Sequence, residues 1–194
     1  MARWQPDARG RLEAAALALF SERGFEQTTV TDIAARAGLD KRTFYRLFGD
    51  KREVLFSGGS RLEEVLVKAV AETDADPFET VVTAFRQVAD EIFADRLDLV
   101  RVRQTIIDAS PELQERELRK TNGLATTVAA ALRAKGVGET TATLATESGV
   151  TVFRVAFARW VAPGNDASLA DLIAETAAEL RAVTSSPATP PARI

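Results

Sequence analysis

Apolar positions recur at helical spacing along almost the whole chain, and nowhere at the alternating spacing of a strand. Leu12, Ala15, Ala16, Leu19 and Phe20 share one face of a first helix, from about Asp7 to Arg23, which Gly24 closes. Val30, Ile33, Ala34 and Ala37 form the stripe of a second, opened by a capping box at Thr29 and Asp32. Phe44, Leu47 and Phe48 form the stripe of a third. Gly38 suits the left-handed position after the second helix and Asp40 suits the N-cap of the third, so only about three or four residues join them. Two short helices joined so tightly cannot lie antiparallel. They cross steeply, which is the geometry of a helix-turn-helix.

The pattern continues. Asp50 and Glu53 start a fourth helix through Val54, Leu55 and Phe56, and Gly58-Gly59 is a kink or a break before Leu62, Val65, Leu66 and Val70 resume. A link at Thr73–Pro77 offers Asp76 as N-cap and Pro77 as first helical residue. Phe78, Val81, Val82, Phe85, Ala89, Ile92 and Phe93 then give about four turns of amphipathic helix. A short helix near Leu97 to Ile107 follows, then one opened by Ser110-Pro111-Glu112 that runs to about Ala134. The last two span about Glu139 to Trp160 and about Ser168 to Val183. The Pro-rich end, TSSPATPPARI, reads as disordered. The fold class is all-α, with about nine helices.

Composition narrows the chemistry more than the fold. The 194 residues include no Cys and no His, which removes disulfides, thiolate metal sites, every His-containing triad and the common zinc ligand sets. An enzyme would then need a carboxylate pair or Lys/Tyr chemistry, and no such constellation stands out. No catalytic residue, cofactor or metal is therefore expected. No apolar run approaches the roughly 18 residues of a membrane span, and MARWQPDARGR lacks a signal-peptide core, so a soluble, cytoplasmic protein is expected.

Net charge of −3 argues on average against a nucleic-acid partner. Its distribution does not. Residues 1–60 carry ten Lys/Arg against eight Asp/Glu, and the rest carries fifteen against twenty. A slightly basic head on an acidic body is the asymmetry of a DNA-binding module. On a helix beginning near Lys41, the buried stripe turns Arg42 and Arg46 outward, flanked by Thr43 and Tyr45. A guanidinium can bond guanine bidentately in the major groove, while Lys, Thr and Tyr commonly hold phosphates. Thr29 and Thr31 begin the second helix beside free amides, and Lys51 is placed to grip a neighbouring phosphate. An isolated basic helix is as readily a solvated face. Here it follows a capping box, a small residue and a turn glycine, and it contains two buried aromatics, which together favour DNA.

The stretch FEQTTVTDIAARAGLDKRTFYRLFGDKREVL closely resembles the DNA-binding signature of the tetracycline-repressor (TetR) family of bacterial regulators. The resemblance covers about Leu12 to Leu55; beyond residue 60 it is architectural only. It implies a homodimer whose paired heads bind a pseudo-palindromic double-stranded DNA operator, and a helical body that binds an unidentified small-molecule effector and releases DNA. Carried over by position, base contacts fall on Thr31, Lys41 and Arg42, and phosphate contacts on Thr29, Thr43, Tyr45 and Lys51. Asp40, Arg42 and Leu47 depart from the family's usual residues. The implied organisation is a helix-turn-helix domain over residues 1–50, an effector-binding and dimerisation domain over 51–183, and a tail over 184–194. An effector-independent DNA-binding or interaction module, or an activator, is the alternative.

In the body, Phe78, Phe85, Phe93, Phe153, Phe157 and Trp160 read as core. Gln104, Asp108, Asn122, Glu147, Thr151 and Arg154 interrupt the apolar helices without any one of them standing out as a ligand contact. Ala142, Ala145, Gly149, Val152 and Ala156 share a face of the Glu139–Trp160 helix that would permit close approach. The resemblance implies that a dimer seam lies on the last two helices, and this small-residue face is the expected place; an intramolecular contact is the alternative.

Overall fold

The structure is a computed structural model that describes residues 7–185. Its helices are α1 (Ala8–Arg23), α2 (Val30–Arg36), α3 (Lys41–Leu47), α4 (Glu53–Phe56), α5 (Gly59–Glu72), α6 (Pro77–Val88), α7 (Leu97–Asp108), α8 (Pro111–Ala134), α9 (Glu139–Val161) and α10 (Leu169–Ser185). There is no strand among the described residues. The glycine pair is a break and not a kink, since α4 stops at Phe56 and α5 starts at Gly59. Thr184 and Ser185 of the expected tail extend α10, and the rest of the tail lies outside the described residues.

Two compact units emerge. Among the described residues, one holds those up to Arg61 together with Asp98–Asn122; the other holds Leu62–Leu97 together with those from Gly123 to Ser185. Residues 51–61 and 98–122 therefore pack with the helix-turn-helix, although the expected boundary fell at residue 50. The reason is visible in the first unit's core. Leu12, Phe20, Ile33 and Phe44 form one continuous cluster with Leu55 and Phe56 of α4, Ile107 of α7 and Leu113 of α8.

Four residues cannot sustain a helix alone, because one turn's hydrogen bonds do not offset the entropy of nucleation. α4 survives because Val54, Leu55 and Phe56 are all buried and its last carbonyls are held from outside. Arg103 donates to Leu55 O at 2.7 Å, and Lys120 to Phe56 O at 3.1 Å. Both cations sit near the Phe56 ring, at 5.1 and 5.4 Å from its centre. At the other end, Glu53 accepts from Arg116 and Lys120, and Arg103 is paired with Glu117. Lys120 is held below its usual pKa by burial first, with Arg116 and Arg103 repelling it further.

In the second unit α9 packs on α6 and α10. The small-residue face expected at a dimer seam is instead used here. Ala142, Ala145, Gly149, Val152 and Ala156 are all buried within the chain, so this face is not available to a partner. Gly149 allows the close approach: a Cβ there would lie 2.3 Å from Cγ1 of the fully buried Val81 on α6. The body aromatics divide. Phe85 and Trp160 are buried, whereas Phe78, Phe93, Phe153 and Phe157 are half-exposed. At 100° per residue, Phe153 and Phe157 fall on the flank of the buried stripe, not on its centre. They join Phe93 in a chain of ring contacts at 5.7–6.2 Å. Phe93 ends a π-helical turn, Ala89–Phe93, where a plain α-helical continuation was expected.

Gly149→Ala is expected to lower stability by about 1–3 kcal/mol, because the β-branched Val81 cannot swing clear. Urea unfolding of the variant checks this; an unchanged midpoint would show that α6 and α9 are not in close contact at this point.

Candidate nucleic-acid interface

Local sequence builds both helices of the helix-turn-helix. Thr29 accepts from Asp32 N at 3.2 Å while Asp32 accepts from Thr29 N at 3.0 Å, so the capping box is complete. Asp40 accepts from Thr43 N at 2.6 Å and starts α3. Gly38 between them has φ +65°, a conformation that glycine adopts without Cβ strain. Its carbonyl and that of Ala37 are then taken by an arginine on another helix. Arg11 donates to Ala37 O at 2.6 Å and to Gly38 O at 3.2 Å. Arg9, two residues earlier, donates to Leu47 O at the end of α3 at 3.1 Å and stacks on Phe48. Arg36 closes the set with a two-pronged pair to Glu22, at 2.6 and 2.7 Å.

The carboxylates respond to these bonds. Asp32 is held below its ordinary value of 3.8 by the Thr29 hydroxyl and then by the Thr29 amide. Asp40 is held below the same value by the Thr43 amide first, then by the Thr43 hydroxyl. Glu22 is lowered by its hydrogen bond to Arg36.

Six of the seven expected contact residues lie at the outer ends of α2 and α3. Thr29 and Thr31 are exposed at the start of α2; Lys41 and Arg42 are exposed in the first turn of α3. Thr43 is half-buried beside its cap, and Tyr45 is 52% exposed with its ring edge against Phe44. Arg46, one turn after Arg42, is exposed on the same face. Phe44 itself is fully buried, which fixes the rotation of α3 and hence which side chains face outward.

Lys51 differs. Its ammonium donates to Phe25 O at 2.6 Å and to Thr28 O at 3.0 Å, and lies 4.0 Å from the centre of the Phe25 ring. Desolvation in this site lowers its pKa, opposed by Glu26 and Glu112. In this position Lys51 straps the turn that leads into α2. Arg9 and Arg11 are positioning residues that the sequence reading missed. The signal was there in part: Arg9 is three residues before Leu12, which places it at the edge of α1's buried stripe.

Among the described residues there is no cluster of acidic side chains able to hold a metal, and no helix long and apolar enough to cross a membrane.

Residues 12–57 match the family described as bacterial regulatory proteins, tetR family. The HTH-type transcriptional regulator TcmR of Streptomyces glaucescens is 30% identical over 119 residues, 58% of this chain and 53% of that protein. The chain thus spans about half the length of this curated relative. A TetR-family transcriptional regulator from Syntrophomonas wolfei has a similar structure, with TM-score 0.66 and 18% identity over 93% of this chain and 96% of that one. Thermus thermophilus FadR, a TetR-family transcriptional repressor solved in complex with lauroyl-CoA, matches with TM-score 0.55 and 24% identity over 96% and 99% of the two chains. At these identities the structural likeness speaks for the fold.

Two outcomes are expected. Lys51→Met should destabilise the protein by about 1.5–3 kcal/mol, the worth of hydrogen bonds from a charged donor, and leave the salt dependence of DNA binding unchanged. A salt slope reduced by about one charge would instead give Lys51 a phosphate. The second concerns acid. Asp32 and Asp40 have depressed pKa values in the fold, so their contribution is present above the unfolded value of 3.8 and is lost as pH falls through the lower folded values. Replacing both by Asn, which still caps, should flatten the fall of stability with pH below about 4. Urea unfolding across that range checks it; an unchanged slope would place the acid sensitivity on other carboxylates.

Proposed function

We propose that the chain is a member of the tetR family of bacterial regulatory proteins, a ligand-responsive repressor that binds a pseudo-palindromic operator as a homodimer; the match of residues 12–57 to that family supports this. The observation that carries the reading is the rotation of α3. With Phe44 fully buried, Lys41, Arg42, Tyr45 and Arg46 are all presented outward from one rigid, capped helix. In the proposed complex, Arg42 reads a guanine with Lys41 and Thr31 beside it, while Thr29, Thr43 and Tyr45 position phosphates. Lys51 acts from behind, by holding the turn before Thr29.

Two further observations support the finer parts of the reading. The outward face of α9 exposes Leu144 by 63% and Val155 by 43%, with the uncharged Ser148 and Thr151 between them. Eleven residues make about three turns, so these two side chains share a face opposite the one buried on α6. That outward face is the proposed self-association surface, in place of the small-residue face expected from sequence. The lauroyl-CoA held by the FadR of Thermus thermophilus supports a small-molecule effector. A regulator working in this way is a cytoplasmic DNA-binding protein and not an enzyme.

Footprinting is expected to protect two inverted half-sites, because a two-fold dimer presents two copies of the Lys41–Tyr45 surface. Protection of a single unpaired half-site would defeat the dimeric reading. Arg42→Ala should cost about 1–3 kcal/mol of discrimination between operator and random DNA. An equal loss on both DNAs, measured by titration at fixed salt, would remove Arg42 from base reading.

A further inference from the structure

Phe44 is the one fully buried side chain within α3; Thr43 and Leu47 are half-buried and the other four are exposed. A single anchor of this kind sets the rotation of a helix about its own axis but leaves its tilt open. Tilt has to be set at the two ends, and both ends of α3 are held by one turn of α1. Arg11 donates to Ala37 O at 2.6 Å and to Gly38 O at 3.2 Å, in the turn before α3. Arg9 donates to Leu47 O, in the last residue of α3, and its guanidinium lies 4.8 Å from the centre of the buried Phe48 ring. The turn of α1 that carries the two arginines is itself capped. Asp7 accepts from Gly10 N at 2.8 Å, and the glycine leaves it room, since a Cβ there would lie 2.1 Å from Asp7 Oδ2.

The amides of the turn before α3 are engaged as well, Gly38 N with Ala35 O at 3.0 Å and Leu39 N with Ala34 O at 2.9 Å. Backbone bonds thus hold this turn from within, and Arg11 holds it from outside. Such a grip matters differently to two kinds of DNA. Random DNA is bound through charge near phosphates, which tolerates a loosely aimed helix. A base contact has to be placed to within about 0.5 Å and 10–20°, so it is lost first when the helix tilts.

We infer that Arg9 and Arg11 are positioning residues for sequence reading: they set the tilt of α3, and so determine the preference for operator over random DNA without touching either. The inference rests on the operator reading above and goes beyond it, because it assigns selectivity to two side chains on another helix.

The test compares a duplex that the wild-type full chain selects from a random-sequence pool with a random duplex of the same length. Arg11→Met is expected to weaken the selected duplex about tenfold, to change the random one by less than about twofold, and to leave both salt slopes unchanged. Arg9→Met should behave in the same way, and it carries the test alone should Arg11→Met not fold. Arg11→Lys, which keeps a cationic donor for the turn, should restore most of the lost preference. A second arm contains no DNA. Hydrogen exchange at the Gly38 and Leu39 amides should quicken about tenfold in Arg11→Met, and at the Phe48 amide in Arg9→Met, while the amides of α6 and α9 keep their rates. An equal loss on both duplexes, with a salt slope reduced by about one charge, makes the arginines phosphate contacts and overturns the inference. An unchanged preference in the folded Met variants, or unchanged exchange at these amides, overturns it as well. A pool that yields no preferred sequence sinks the operator reading, and the selectivity with it; exchange that still quickens would then show that the two arginines hold α3 all the same.

Discussion

Short helices need their ends held from outside, and this constraint underlies the rest of the first unit. α2 and α3 have seven residues each and α4 has four, all below the length at which a helix sustains itself in water. Their amino ends are closed locally by Thr29, Asp40 and Asp50. Their carboxyl ends are met only in part by the amides that follow, such as those of Gly38 and Leu39 after α2 and Phe48 after α3, which leaves the outermost carbonyls open. In each case a cation from another helix takes them: Arg11 for α2, Arg9 for α3, Arg103 and Lys120 for α4. The same device recurs in the second unit, where Lys135 donates to Val70 O and Thr73 O at the end of α5.

This changes what the positive charge of the head means. Of its ten basic side chains, Arg9, Arg11, Arg36, Lys51 and Arg52 are engaged with carbonyls or carboxylates of the same unit. The outward-facing cations of α3 are Lys41, Arg42 and Arg46. The excess charge read from the sequence is thus partly internal scaffolding, and the outward-facing set is narrower than a count implies. Because the scaffold cations grip the backbone, a rigid frame aims the outward ones. Less conformational freedom remains to be lost when a partner binds.

The second unit divides its labour in a similar way. α9 carries small residues on one face and Leu144 and Val155 on the opposite one. The small face looks designed for close approach, and it is, but the approach is that of α6 through Gly149 and Val81. Packing within the chain has first claim on such a face because it is always present at high effective concentration. The face left over, with Leu144 and Val155, stays exposed.

Interactions within about one helical turn were legible in the sequence. The capping box at Thr29, the caps at Asp40 and Asp76, the left-handed Gly38 and the burial of Phe44 all follow from spacing and side-chain chemistry alone. So did the outward aim of Arg42, since one buried residue fixes the rotation of a helix. The tertiary structure decided the rest: that Lys51 faces inward, that Arg9 and Arg11 are locks, that residues 98–122 pack with the head, and which face of α9 stays free. Those contacts join residues 26 to 64 positions apart. A periodic pattern states which face of a helix is apolar, but a lysine or arginine has several rotatable bonds and several available carbonyls. Which one it takes is set only when another helix is packed beside it.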